Sequence, residues 1–164
     1  VIDAVGDGVP RERIGQRVLK LVENIHGRDD IAPARIEQLT GIKVEFNPDD
    51  NNEYGFSGQL TDDWAYNLVS LPEATGEKPS RIMFSFDDES RSNADMAPIC
   101  ALDFDAYAAT LKAAGYASDP AHGKHERILY WDFARDDVNV QVYVRGENDA
   151  NAAHACVSKL IINA

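Results

Sequence analysis

The sequence predicts a single α+β domain over residues 1–164, in which an N-terminal helical hairpin precedes a mostly antiparallel sheet of about six strands and one further helix packs on the sheet. Two observations lead to this prediction. Hydrophobic residues recur at helical spacing up to Gly41, and after it they alternate with polar residues in short segments that follow one another like hairpins. Strands in hairpin order lack the helical crossovers that a parallel sheet requires.

Both N-terminal helices carry start and stop signals. Pro10 occupies a permitted first-turn position of the first helix, and Gly27 ends it. We expect Asp29 or Asp30 to cap the start of the second helix and Gly41 to end it. We expect residues 1–9 to be flexible. The core-facing residues of the first helix lie at helical spacing: Ile14, Val18, Leu21, Val22 and Ile25.

The sheet is predicted from period-two alternation, and Thr61, Asp62 and Asp63 form a tight link between two of its strands. The predicted strands are 42–46, 53–60, 64–71, 81–86, 127–133, 138–144 and 156–162. A late helix begins at Asp103, a natural N-cap, and ends at Gly115. The sequence shows no internal repeat.

The charge balance is strongly acidic, with 16 Lys and Arg against 28 Asp and Glu and a net charge of -12. Such a charge repels phosphate backbones and anionic lipids, so we expect no nucleic-acid partner. No apolar run approaches the ~20 residues that span a bilayer, so we expect no membrane insertion. The excess of acids over bases is greatest in residues 51–100, where nine acids oppose three bases. This segment is either a solvated face or a surface for a basic protein.

Cys100 and Cys156 are the only cysteines, and we expect them to be bonded. Closing a loop of this length contributes about 4 kcal/mol in the chain-entropy model. An even cysteine count in a compact acidic protein is typical of an oxidising compartment, so we expect a periplasmic or secreted protein. Two buried free thiols in a cytoplasmic protein remain the alternative, because both cysteines lie beside apolar residues.

Catalytic and metal motifs are weak. "GFSG" lacks the final glycine of a nucleophile elbow, and "DDNNEYG" lacks the later ligands of a calcium loop. "HGKHE" brings His122 and His125 close in sequence, but a loop rarely preorganises a metal site, and exposed loop histidines are the commoner explanation. We therefore expect a protein that is not an enzyme and that has no cofactor and no metal site.

The remaining candidate site is a protein-binding surface in which acidic loop tips flank aromatic anchors. Its predicted residues are Asp49, Asp50, Glu53, Tyr54, Asp62, Asp63, Trp64, Asp87, Asp88 and Glu89. A basic protein is the predicted partner of this surface.

In layout, the hairpin "RIGQRVLKLVENIHGRDDIAPARIEQLTG", followed by an antiparallel sheet with only two cysteines, resembles small periplasmic immunity or inhibitor proteins of bacterial toxin systems. The resemblance implies a non-catalytic protein that covers a toxin's active site. Two alternatives stay open. One is a ligand-binding domain with an apolar pocket between the sheet and the late helix, reaching Tyr130 and Trp131. The other is a hydrolase that uses loop histidines and acids.

Overall fold

The computed structural model describes residues 11–72, 77, 79–90, 94–100, 102–122 and 128–164. The helices are α1 (Arg11–Glu23), α2 (Pro33–Thr40) and α3 (Phe104–Ala113), with single 3₁₀ turns at Arg28–Asp30 and Ala97–Ile99. The strands are β1 (Glu45–Asn47), β2 (Asp50–Gln59), β3 (Trp64–Pro72), β4 (Pro79–Asp88), β5 (Ala117–His122), β6 (Ile128–Arg135), β7 (Val138–Gly146) and β8 (Ala155–Asn163). None of the helices in these ranges has the length and apolar character needed to cross a membrane.

The eight strands form one antiparallel sheet in the order β1-β2-β3-β4-β8-β7-β6-β5. Each half of the chain supplies helices and then a four-stranded meander, and the fourth strands of the two meanders pair at the centre of the sheet. This pairing runs from Arg81 opposite Asn163 to Ser85 opposite Lys159. The α+β class and the antiparallel sheet are as predicted, whereas the number of strands was underestimated. The duplicated order of elements has no counterpart as a sequence repeat.

The two strands that the sequence pattern predicted least well, β1 and β5, form the two edges of the sheet. The predicted strand 42–46 is shortened to β1, and β5 lies in a segment that was predicted to be a loop. Pro120 of β5 pairs with Trp131 of β6. An edge strand tolerates proline because the N–H groups on its outer side need no partner in the sheet. Low β-propensity therefore did not prevent this segment from pairing.

The core lies between α1, α3 and one face of the sheet. Tyr107 and Leu111 of α3 are fully buried, and the hydroxyl of Tyr116, just after α3, donates to the carbonyl of Val22 at 2.9 Å. One cross-strand row illustrates the packing of the inner face: Phe56, Leu68, Phe84, Leu160 and Val142. Because side chains alternate between the two faces of a strand, every second residue of these strands packs into the core beneath the helices.

Arg135, at the end of β6, connects the C-terminal ends of α1 and α3. One terminal nitrogen of its guanidinium donates to the carbonyl of Ile25 at 2.7 Å, and the other donates to the carbonyl of Ala114 at 2.8 Å. The guanidinium lies 4.3 Å from the ring centre of Tyr116. A cation at helix C-termini satisfies carbonyls that have no partner within the helix and opposes the helix dipole.

Candidate functional site

A disulfide joins Cys100 to Cys156, with Cα atoms 5.2 Å apart, as predicted. It connects the segment before α3 to the start of β8, and both cysteines are buried. Within the described residues there is no free cysteine. The bond therefore links the helical layer to a central strand of the sheet.

His154, two residues before Cys156, lies between two carboxylates. Its Nε2 is 2.8 Å from Oδ2 of Asp103, and its Nδ1 is 2.7 Å from Oε1 of Glu147. The other carboxylate oxygen of Asp103 caps α3 by accepting from the backbone N–H of Ala106 at 3.0 Å, as predicted for this N-cap. One side chain therefore caps the helix and also fixes the imidazole ring.

The two carboxylates change the protonation of this cluster. Hydrogen bonds to Asp103 and then to Glu147 raise the pKa of His154, while the hydrogen bond from His154 lowers the pKa of Asp103. Both directions favour a protonated imidazole beside an ionised Asp103 carboxylate. Because both ring nitrogens are engaged, this histidine is not available as a general base.

The cluster lies at one end of the sheet, where the β2–β3 turn, the segment after β4 and the β7–β8 loop meet. We call this surface the acidic end and define it by its exposed carboxylates: Asp62, Asp63, Asp87, Glu89, Asp95 and Asp149. Two of the three segments are joined where the N–H of Glu89 donates to the carbonyl of Asp63 at 2.8 Å. The third is joined where the side-chain amide of Asn148 donates to the carboxylate of Asp95 at 3.0 Å. Carboxylates far apart in sequence thus share one surface.

Arg145, at the end of β7, is surrounded by acceptors at the acidic end. It donates to the carbonyl of Ala94, lies 3.7 Å from the carboxylate of Asp88 and sits 5.3 Å from the ring centre of Trp64. The Asp88 carboxylate also accepts from Ser90 and from the backbone of Ala94, and these hydrogen bonds, the Ser90 hydroxyl first, lower its pKa. The partly buried side chain of Asp88 therefore fixes the conformation of the loop after β4 by hydrogen bonding to it.

A surface cleft of about 550 Å³ opens between the segment after β4 and the β7–β8 loop. Three acids line it, namely Asp95, Glu147 and Asp149, together with Arg145 and Asn148. The cleft is wide enough for a long side chain, and its lining favours one that carries a positive charge.

The predicted binding residues do not form one surface. Asp62, Asp63, Asp87 and Glu89 are exposed at the acidic end, with Asp88 partly buried beside them. The predicted acids Asp49, Asp50 and Glu53 lie at the start of β2 and in the turn before it. The other end of β2 is next to the acidic end, because Gln59 pairs with Ala65. Grouping these two sets of acids was wrong, since β2 separates them by nearly its full length.

The predicted aromatic anchors are in the core. Tyr54 is 3% exposed and its hydroxyl donates to the carbonyl of Ile31 at 3.1 Å. Trp64 is 2% exposed and its indole N–H donates to the carbonyl of Asp95 at 2.9 Å. Their placement as surface anchors was wrong, because both strands turn these rings toward the helices. The buried ring of Trp64 instead packs under the acidic end and is hydrogen-bonded to its backbone.

The structure describes some of the residues that were predicted for the two alternative functions, the ligand-binding domain and the hydrolase. Tyr130 stacks on Tyr143 with ring centres 5.0 Å apart, whereas Trp131 packs on Phe104 of α3 at 5.4 Å. Successive residues of a strand point to opposite faces, so Tyr130 and Trp131 do not line one pocket. The side chain of His122, and His125 as a whole, lie outside the described residues.

Comparison with known proteins adds no relative: no family model, curated protein or solved structure matches the chain. Sequence reasoning had missed the cluster of His154, Asp103 and Glu147. A signal was present, because Asp103 follows Cys100 by three residues and His154 precedes Cys156 by two. Once the cysteines are paired, these two side chains are brought to the same place.

Proposed function

We propose that the protein is a non-catalytic protein-binding module of the immunity or inhibitor type, which uses the acidic end to cover the active site of a basic toxin or enzyme. The observation that carries this proposal is the convergence of six exposed carboxylates on one end of the sheet, five from three separate segments and Asp87 from the end of β4. Arg145 and His154, the basic side chains described near these carboxylates, already have acceptors around them. The negative potential is therefore available to a partner.

The cleft of the acidic end supports the same function. Asp95, Glu147 and Asp149 line it, so a lysine or arginine of the partner would enter between carboxylates. Beneath it, the disulfide and the buried Trp64 ring hold the loops in place. A surface that is rigid before binding loses little conformational entropy when the complex forms.

The disulfide supports a location in an oxidising compartment, and we propose the periplasm or the extracellular space. Toxins and secreted enzymes act in these compartments. A small protein that meets them there gains from a covalent link between its helices and its sheet.

The test compares charge reversal at the two ends of the sheet. Asp62→Lys/Asp63→Lys changes the acidic end, and Glu45→Lys/Asp49→Lys makes the same charge change at exposed positions near the opposite end. Each protein is used to capture partners from the native source, and the captured partner is then purified and its association and dissociation rates are measured at 0.1 M and 1 M salt. Steering should weaken as the Debye length falls from ~10 Å to ~3 Å.

We expect the acidic-end variant to associate at least about tenfold more slowly at low salt, with a smaller change in dissociation, and the opposite-end variant to behave like wild type. Cross-links from the partner should map to the three segments of the acidic end. Equal rates for the two variants, or cross-links confined to another surface, would place the binding site elsewhere and refute the proposal.

A further inference from the structure

We propose that reduction of the Cys100–Cys156 disulfide converts its surroundings into a tetrahedral Zn²⁺ site with Cys100, Cys156, His154 and Glu147 as ligands. One ligand atom from each of the four residues lies within 4.8 Å of all the others. The inference is independent of the proposed partner. It concerns the chemistry that becomes available to this cluster when its two sulfurs are freed.

The donor set is one that zinc prefers. Thiolate, imidazole and carboxylate are its usual protein ligands, and bond lengths of about 2.0–2.3 Å put neighbouring ligand atoms about 3.3–3.8 Å apart in a tetrahedron. Sγ of Cys100 is already 3.8 Å from Nδ1 of His154, and that nitrogen is 2.7 Å from the Glu147 carboxylate. To reach this spacing the two bonded sulfurs have to separate, and the hydrogen-bonded nitrogen and carboxylate oxygen have to move slightly apart.

The hydrogen bond between Asp103 and His154 distinguishes this cluster from a chance grouping of polar side chains. Ligating histidines almost always donate their second ring N–H to a carboxylate or a carbonyl, which fixes the tautomer and the ring orientation. Nε2 of His154 lies 2.8 Å from Asp103 Oδ2, so Nδ1 is left to face Glu147 and Cys100. The outer partner expected of a zinc-bound histidine is already in place.

The donors are held together by more than the disulfide. The backbone N–H of Met96 donates to the carbonyl of Glu147, and the N–H of Glu147 donates to the carbonyl of His154, each at 2.9 Å. These bonds tie the segment that carries Cys100 to the loop that carries the other donors. Opening the disulfide therefore leaves the ligands near one another, which is the condition for binding without refolding.

The chemical steps balance with a dithiol as the reductant. The dithiol gives two electrons and two protons to the Cys100–Cys156 bond, yields two thiols and becomes a disulfide itself. Zn²⁺ then displaces both thiol protons and the proton on Nδ1 of His154 to solvent. Two thiolates, a neutral imidazole and the Glu147 carboxylate remain around the ion.

The test uses the whole protein with and without reduction. The protein is reduced, the reductant is removed without air, and Co²⁺ is added as a spectroscopic probe before Zn²⁺. We expect a thiolate-to-cobalt charge-transfer band that saturates at one equivalent and disappears when Zn²⁺ is added, with no such band from unreduced protein. Absence of the band after reduction, or an equal response before reduction, would overturn the proposal.

Variants identify the ligands and the positioning residue. His154→Gln and Glu147→Gln should weaken zinc binding by the reduced protein, whereas the matched changes His26→Gln and Glu89→Gln should not. Asp103→Asn keeps an acceptor for the helix cap but loses the charge, so we expect zinc affinity to fall about 10- to 100-fold. Wild-type affinity in both ligand variants would show that the thiols alone bind the metal and would overturn the assignment.

Discussion

The carboxylate of Asp103 lies 2.8 Å from Nε2 of His154, and this contact joins the cap of α3 to the residue that precedes β8. It spans 51 residues of sequence and lies beside the disulfide. Two neighbouring links, one covalent and one ionic, thus hold the same helix start against the same strand.

The ionic link should make stability depend on pH. The pKa of His154 is raised on folding, so its contribution is complete below the ordinary value of about 6.5 and is lost as pH rises through the raised value. The pKa of Asp103 is lowered, so its contribution is present above about 3.8 and is lost as pH falls through the lowered value. The bond is therefore strongest between these limits.

We expect His154→Gln to lower the melting temperature of the disulfide-bonded protein most at pH 4–6.5 and progressively less above pH 7. Thermal unfolding of both proteins across this pH range tests the expectation. The matched control is His26→Gln, at an exposed position outside the cluster. A wild-type-minus-variant difference that stays constant with pH would contradict this account.

The disulfide should contribute substantially to stability. The two cysteines are separated by 56 residues, and a loop of this length corresponds to about 4 kcal/mol of unfolding free energy in the chain-entropy model. We expect Cys100→Ala/Cys156→Ala to lose an amount of this order in denaturant titration. Alkylation of the unfolded, unreduced wild type, followed by intact mass, should find no free thiol, and labelling of both cysteines would refute the bond.

Trp64 should behave as a core residue. Because its ring is buried and its N–H is bonded, we expect Trp64→Ala to cost about 3–5 kcal/mol of unfolding free energy. Phe46→Ala is the control, since Phe46 is 47% exposed on edge strand β1, and should cost well under half as much. Similar losses in the two variants would show that burial does not determine the effect.

Arg135 should stabilise the ends of two helices at once. Arg135→Met removes the donors to the carbonyls of Ile25 and Ala114. One charge-assisted hydrogen bond contributes about 1.5–3 kcal/mol, so we expect the free energy of unfolding to fall by about this amount or more. Arg135→Lys, which keeps the charge but not the planar fork, should lose less. Denaturant titration of both variants tests this order, and a lysine variant as unstable as the methionine variant would refute the role of charge at these helix ends.

The parts of the fold that the sequence predicted are those with strong local signals. Asp103 is a helix cap and β7 alternates strictly, and both needed only neighbouring residues to be recognised. β5 was not predicted because it contains Pro120, and a strand tolerates proline only where it lies at an edge of the sheet, which the local sequence does not show. Alternation placed Trp64 in a strand but did not tell which face the helices cover. His154 was missed because both of its carboxylate partners are supplied by distant or looped segments.

The central pairing of β4 with β8 has a consequence for synthesis of the chain. β8 follows the other described strands in sequence, so β4 has no neighbour on that side until residues 155–163 have left the ribosome. During that interval the nascent N-terminal half presents an unpaired apolar strand edge, which is a template for aggregation. Pairing of residues 81–85 with residues 159–163 removes this open edge and joins the two meanders into one sheet.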